Sequence, residues 1–266
     1  MKVPKLEKLA RNARKLIVEM GYKSKTAEVG SGLCIADILI ALYFGVMKIN
    51  PKKPNGPDRD RFVLSKGHGA SALYATLALS GYFPLTKLKG YRVNGGTLHA
   101  HPSRGAEFGI EVSTGSLGHG FGIATGQALA LKKDRPKVRV WCLLGDGECN
   151  EGNVWEAAMF AATHKLSNLI AIIDANNFQG FGQVDKVHNM NLAKMWAAFG
   201  WKVINVDGHN IPALVSTLKK TRQAKQPTVI IARTIAGKGV KRIENTLLAH
   251  YFVPDEAAYQ ETLATI

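Results

Sequence analysis

Asp146 stands between Gly145 and Gly147, directly after the apolar run of residues 138–144. A carboxylate there can hold a hard divalent cation, and a flanking glycine lets the backbone amide approach a phosphate oxygen. Alone, the triplet also fits an ordinary turn with a capping aspartate. A second apolar run, residues 169–174, ends at Asp174-Ala175-Asn176-Asn177. The amide oxygen of Asn176 can complete an oxygen-rich magnesium shell whose other places go to phosphate and water. The interval from Asp146 to Asn176 is 176 − 146 = 30 residues. That accommodates a turn, a helix, another turn and a strand, so a parallel crossover returns the chain to the same sheet edge. Both side chains can then face one cation from neighbouring strand ends. Histidines also occur beside glycine-rich turns: His68 in Lys66-Gly67-His68-Gly69, and His99 and His101 before Pro102. An imidazole titrates near neutrality and suits proton transfer. The bland alternatives are a helix cap for His68 and a surface pair for His99 and His101.

The elements that must position these groups follow one rhythm. Short apolar runs at 61–65, 138–144, 169–174, 201–206 and 228–232 read as strands. Helical patterns at 70–80, 153–164 and 211–223 lie between them, and residues 32–47 read as a buried helix. Such alternation predicts an α/β fold: a mostly parallel sheet covered by helices on both faces. Ligands of such sheets bind beyond the carboxyl ends of the strands. His68, Asp146 and Asn176 all fall there. No linker or repeat divides the chain, which reads as one domain over residues 1–266 with short terminal extensions.

The chain has 266 residues, is 46% hydrophobic and carries a formal net charge of +15. That balance favours anionic ligands. Its basic residues fall in scattered groups, the first being Lys2, Lys5, Lys8, Arg11, Arg14 and Lys15. This group fits the solvated face of a helix that turns Leu6, Leu9, Ala13, Leu16 and Ile17 inward. No nucleic-acid motif accompanies the charge. Residues 32–47 carry Asp37 and are too short to span a bilayer. The N-terminus lacks the apolar core of a signal peptide. Cys34, Cys142 and Cys149 have no metal or disulfide spacing and read as buried thiols in a reducing compartment. A cytoplasmic protein binding neither membrane nor nucleic acid is expected.

Residues 145–177 resemble the thiamine diphosphate motif, in which Gly-Asp-Gly precedes an asparagine by about thirty residues. The surrounding segments resemble transketolases: Leu64-Ser65-Lys66-Gly67-His68-Gly69, Leu98-His99-Ala100-His101-Pro102, Thr114-Gly115-Ser116-Leu117-Gly118, Gly147-Glu148-Cys149-Asn150-Glu151-Gly152 and Thr234-Ile235-Ala236-Gly237-Lys238-Gly239. They follow the family's order over nearly the whole chain. The resemblance implies ketol transfer from a ketose to an aldose with thiamine diphosphate and Mg2+. It implies that Asp146, Asn176 and the Phe178 backbone oxygen hold magnesium, and that Gly147 and His68 contact the diphosphate. Gly115 and Leu117 would meet the aminopyrimidine through their backbones. His101 would lie beside the reacting centre, with His68 a second candidate for proton transfer. His250 would sit near the diphosphate and the substrate, and Glu151 and Glu156 would face a partner. The pyrimidine-binding half of a transketolase is not matched here. The expectation is a split enzyme, in which a second chain supplies that half and two chains of each type form a heterotetramer. The resemblance also touches 1-deoxyxylulose 5-phosphate synthases and the α subunits of 2-oxo acid dehydrogenases, whose segments fit less well. A non-catalytic regulatory or binding subunit retaining the fold is the reading from another class. Two positions depart from the family: Glu28 replaces a histidine that helps hold the sugar, and His119 replaces a glutamine. Glu28 is thereby marked as a substrate contact of altered preference.

Overall fold

The structure, a computed structural model, describes residues 1–105 and 109–266. Seven strands occur among them: β1 (Arg61–Leu64), β2 (Val140–Gly145), β3 (Leu169–Ala175), β4 (Phe178–Gln179), β5 (Gly182–Gln183), β6 (Lys202–Asp207) and β7 (Thr228–Arg233). Five of them form a parallel sheet in the order β1-β2-β3-β7-β6, and β4 and β5 form a small antiparallel hairpin. The helices are α1 (Val3–Ser24), α2 (Val29–Gly45), α3 (Ala70–Leu79), α4 (His119–Asp134), α5 (Gly152–Thr163), α6 (Val184–Val187), α7 (Leu192–Ala198), α8 (Ile211–Thr221), α9 (Leu248–Tyr251) and α10 (Glu256–Thr265).

Strand side chains alternate between two apolar layers. Trp141, Leu143, Ile170, Ile172 and Ile230 join a cluster with α1, α2, α3 and α8. Cys142, Leu144, Ala171, Ile173 and Val229 join one with α4, α5 and α7. Both faces are covered, which is why the strands read as continuous apolar runs. The sheet is therefore the α/β arrangement expected from the sequence. In α2, every residue from Val29 to Tyr43 is buried. Cys34, Cys142 and Cys149 are free and buried. Among the described residues no helix is long and apolar enough to cross a membrane.

One expectation needs correcting. Leu6, Ala13 and Ile17 do point inward, but Arg14 is not on a solvated face. Its buried guanidinium pairs with Asp37 of α2. Asp37 also accepts from His209 Nδ1 at 2.7 Å, while His209 Nε2 accepts from the Ile235 N–H at 2.9 Å. A carboxylate inside a buried helix needs a cation and donors to stay there. Burial pushes the Asp37 carboxyl up, but His209 and Arg14 outweigh it and hold it below the ordinary range. The chain's ends are likewise more than extensions. α1 packs on α2 and α3, and α10 packs on α1, where the Lys15 ammonium donates to the Leu263 carbonyl.

Candidate active site

β2 and β3 lie side by side, with Gly145 opposite Asp174. The turns after them therefore leave the sheet together, at its carboxyl edge. Asp146 Oδ1 accepts from the Gly147 N–H at 2.9 Å, and Oδ2 from the Asn177 N–H at 2.6 Å. The second bond ties the two turns to each other. Asn177 takes a left-handed φ of 64° to make it. Asn176 Oδ1 accepts from the Phe178 N–H at 2.9 Å, and its amide group donates to Asp174 Oδ2 at 2.9 Å. These bonds orient the amide.

A cavity of about 420 Å³ opens over this edge. Asp146, Gly147, Asn176 and Phe178 line it from the strand ends. His68 and His101 join them from the segments after β1 and before α4, with Gly115 and Leu117 from the loop entering α4. Glu28, Glu151 and His250 complete the set expected from sequence. Glu156 does not line the cavity; it is exposed on α5. The His68 and His250 rings lie 6.0 Å apart. Gly115 has φ +149°, and a Cβ there would come within 3.2 Å of the His101 ring. A side chain at position 115 would close the gap between that loop and His101. Tyr74 donates to the His99 and His101 carbonyls at 3.0 and 3.2 Å and so fixes the histidine segment from α3.

Behind the turns lies a buried network that sequence reasoning missed. The Lys66 ammonium and the Asp174 carboxylate pair with both side chains almost fully enclosed. Thr234 and Cys34 also donate to Asp174. Burial pulls Lys66 down, but Asp174 and its neighbours more than reverse this and raise it. Asp146 behaves oppositely: burial and then the Asp174 charge push it up to about 7, against the Asn177 and Gly147 donors and Lys66. Burial first, and then Lys66, His250 and His101, drive His68 well below the ordinary histidine value. Burial, followed by Lys66, likewise lowers His250.

Other residues also went unread. Buried polar atoms of Ser31, Asn150 and Gln179, all at the cavity, have no protein partner. Buried polar atoms ordinarily have one, so a polar ligand with oxygens and donors fits there. Glu28 is not a lone acid: Arg92 Nη1 donates to its Oε2 at 3.0 Å. Both residues are left-handed, with φ of 72° and 50°. Lys66, Asn150, Asp174 and Thr234 lay within quoted segments, but Lys66 and Thr234 are 108 and 60 residues from Asp174, a spacing that gave no sign of contact. Among the described residues no three His, Cys, Asp or Glu side chains cluster as a metal site. A cation held by Asp146 and Asn176 would take much of its shell from ligand oxygens and water, as Mg2+ on a diphosphate does.

The family model for the transketolase thiamine diphosphate binding domain matches residues 6–258. A 6-deoxy-6-sulfo-D-fructose transketolase subunit from Clostridium sp. (strain MSTE9) is 41% identical over 98% of this chain and 96% of its own length. An apulose-4-phosphate transketolase subunit from Phocaeicola vulgatus is 38% identical over 100% of this chain and 95% of its own. The crystal structure of Campylobacter jejuni transketolase superposes with a TM-score of 0.93 at 33% identity, covering 99% of this chain but 43% of that one. The geometry at the strand ends and these likenesses agree, and the chain belongs to the transketolase family as its thiamine diphosphate-binding part.

Proposed function

We propose that this chain is the N-terminal subunit of a split transketolase that moves a two-carbon ketol unit from a ketose to an aldose. The observation that carries the reading is the convergence of Asp146 and Asn176 from adjoining parallel strands onto one cavity. Bound thiamine diphosphate supplies the carbanion chemistry that such a transfer needs. The chain's own residues bind and orient it. Asp146, Asn176 and the Phe178 carbonyl hold Mg2+, and Gly147, His68 and His250 meet the diphosphate. Gly115 and Leu117 offer their backbones to the aminopyrimidine. His101 moves protons at its ring nitrogens, with His68 beside it; burial keeps the His68 ring neutral, with one nitrogen to donate a hydrogen bond and one to accept.

Glu28 faces the sugar together with Arg92. The pair presents a hydroxyl acceptor without a net negative field, so it does not exclude phosphate as an unpaired glutamate would. The names of the two subunit relatives carry sugar derivatives with an anionic group. Together with the charge of +15, they favour an anionic sugar or sugar phosphate as the substrate class. One diphosphate-binding domain spans residues 1–266. A second chain carrying the pyrimidine half completes a cytoplasmic heterotetramer, with Glu151 and Glu156 at the subunit interface. Exposure of both glutamates supports that placement.

Asp146→Ala tests the centre of this reading. It removes the only carboxylate of the metal pair and leaves the strands intact. In the assembled enzyme, calorimetric titration with thiamine diphosphate and Mg2+ is expected to show loss of magnesium-dependent binding. Unchanged affinity would mean that the turn is not the metal site.

A further inference from the structure

Glu148 lies two residues beyond Asp146, lines the cavity and is 2% exposed. Its carboxylate accepts three hydrogen bonds from three separate segments. Oε1 takes one from the Ser65 hydroxyl at 2.5 Å and one from the Gly118 N–H at 2.7 Å. Oε2 takes one from the Gly145 N–H at 3.0 Å. Ser65 precedes His68 at the end of β1. Gly118 closes the loop that carries Gly115 and Leu117 and opens α4, where a carboxylate also meets the positive end of the helix dipole. Gly145 opens the turn of Asp146 and Gly147. Ser65 and Gly118 are 83 and 30 residues from Glu148. No local backbone preference fixes the distance between them; among the described residues, this carboxylate is the group bonded to all three.

We infer that Glu148 is a positioning residue that sets the spacing between the metal turn and the Gly115–Leu117 loop, so that both ends of the cofactor meet a preformed surface. This rests on the reading of the cavity as the thiamine diphosphate site. An ionised carboxylate only accepts, and its two oxygens satisfy donors on opposite sides at once. Glutamine cannot replace it. One end becomes an NH2 group, which must face either the Gly145 N–H or the Ser65 and Gly118 donors. A buried donor is then left opposed, and the two segments separate. Gly118 has little room to follow: its φ is +77°, and Asn153 Oδ1 packs against its open side. A residue that merely stabilised the fold would not discriminate between ligands. A residue that sets this spacing does, because a ligand touching one end is blind to it.

The test uses the chain assembled with its pyrimidine-half partner, with two probes. Magnesium pyrophosphate engages the metal turn and the diphosphate histidines but not the Gly115–Leu117 loop; magnesium thiamine diphosphate engages both ends. For Glu148→Gln, the affinity ratio of thiamine diphosphate to pyrophosphate is expected to fall roughly ten- to hundred-fold, the effect of losing hydrogen bonds to a charged group. Ser65→Ala removes one donor and leaves the carboxylate; the same ratio falls several-fold, with circular dichroism and melting temperature near wild type. Should Glu148→Gln fail to fold, the Ser65→Ala ratio decides. A wild-type assembly that binds neither probe overturns the reading of the site, and the inference falls with it. A wild type that binds both, with a ratio unchanged in the folded variants, overturns the inference alone and leaves the site standing.

Discussion

His68 is held neutral by where it sits. Burial and the positive charges near it lower its proton affinity well below the ordinary value in the folded chain, while the unfolded chain binds a proton near pH 6.5. As pH falls through that value, the unfolded state takes up a proton that the native state refuses, so stability falls. His250 acts in the same direction. Asp146 acts oppositely: raised to about 7, it keeps its proton in the native state while the unfolded carboxyl has released it, and stability declines as pH rises from about 4 toward 7. Comparing a variant with wild type isolates the histidine. His68→Asn is expected to lose less stability between pH 7.5 and 5.5 than wild type does, as read by urea unfolding at both values. Equal losses would show that His68 does not oppose protonation. The residue scale also shows where sequence stops being legible. Asp146 and Asn176 announced themselves because each ends an apolar run. Lys66 and Asp174 did not, because their pairing joins residues 108 apart and depends on how β1 and β3 flank β2. Arg14 was misread for the same reason: its partner lies on another helix.

The strands were legible to within two residues because both faces of a parallel sheet are buried, so apolar runs mark them without ambiguity. α4 was not recognised. Gly120, Gly122 and Gly126 weaken its helical signal, and the β4–β5 hairpin is too short to have one. Gly120 is a packing requirement, since a Cβ there would meet Ser65 at 2.7 Å, whereas Gly122 and Gly126 face open space. A tighter case links two elements of the site. A Cβ on Gly30, in the first turn of α2, would stand 2.2 Å from the Ala249 carbonyl oxygen. Backbone cannot yield as a side chain tip can. Gly30→Ala is therefore expected to push the α9 segment away from α2 and carry His250 with it. Overpacking of this kind costs about 1–3 kcal/mol. The expected readouts are a lower unfolding midpoint and weaker cofactor binding in the assembled enzyme. A variant of wild-type stability and affinity would show that α9 moves freely over α2 and does not hold His250 in place.

At the scale of the molecule, the proposed function makes the cavity a half-site. The chain spans 96% of a relative named as a subunit but 43% of a solved transketolase chain. The surface at the cavity agrees with that. Phe181, at the tip of the β4–β5 hairpin, is 94% exposed and lines the rim, and Leu248 and Tyr251 of α9 are about half exposed. Exposed apolar side chains on the rim hairpin and on α9 beside it make a surface suited to being covered. Covering it also removes water from the site, which strengthens each charge–dipole contact to a bound diphosphate. The isolated chain is therefore expected to transfer ketol units slowly even with saturating thiamine diphosphate and Mg2+. Titrating in a chain that carries the pyrimidine half should raise the rate until the two are equimolar. A coupled assay of aldehyde release, run across that titration, measures it. Full turnover by the purified chain alone would show that this cavity needs no second surface. A rate that climbs and then breaks at one partner per chain would show that each site is built from both.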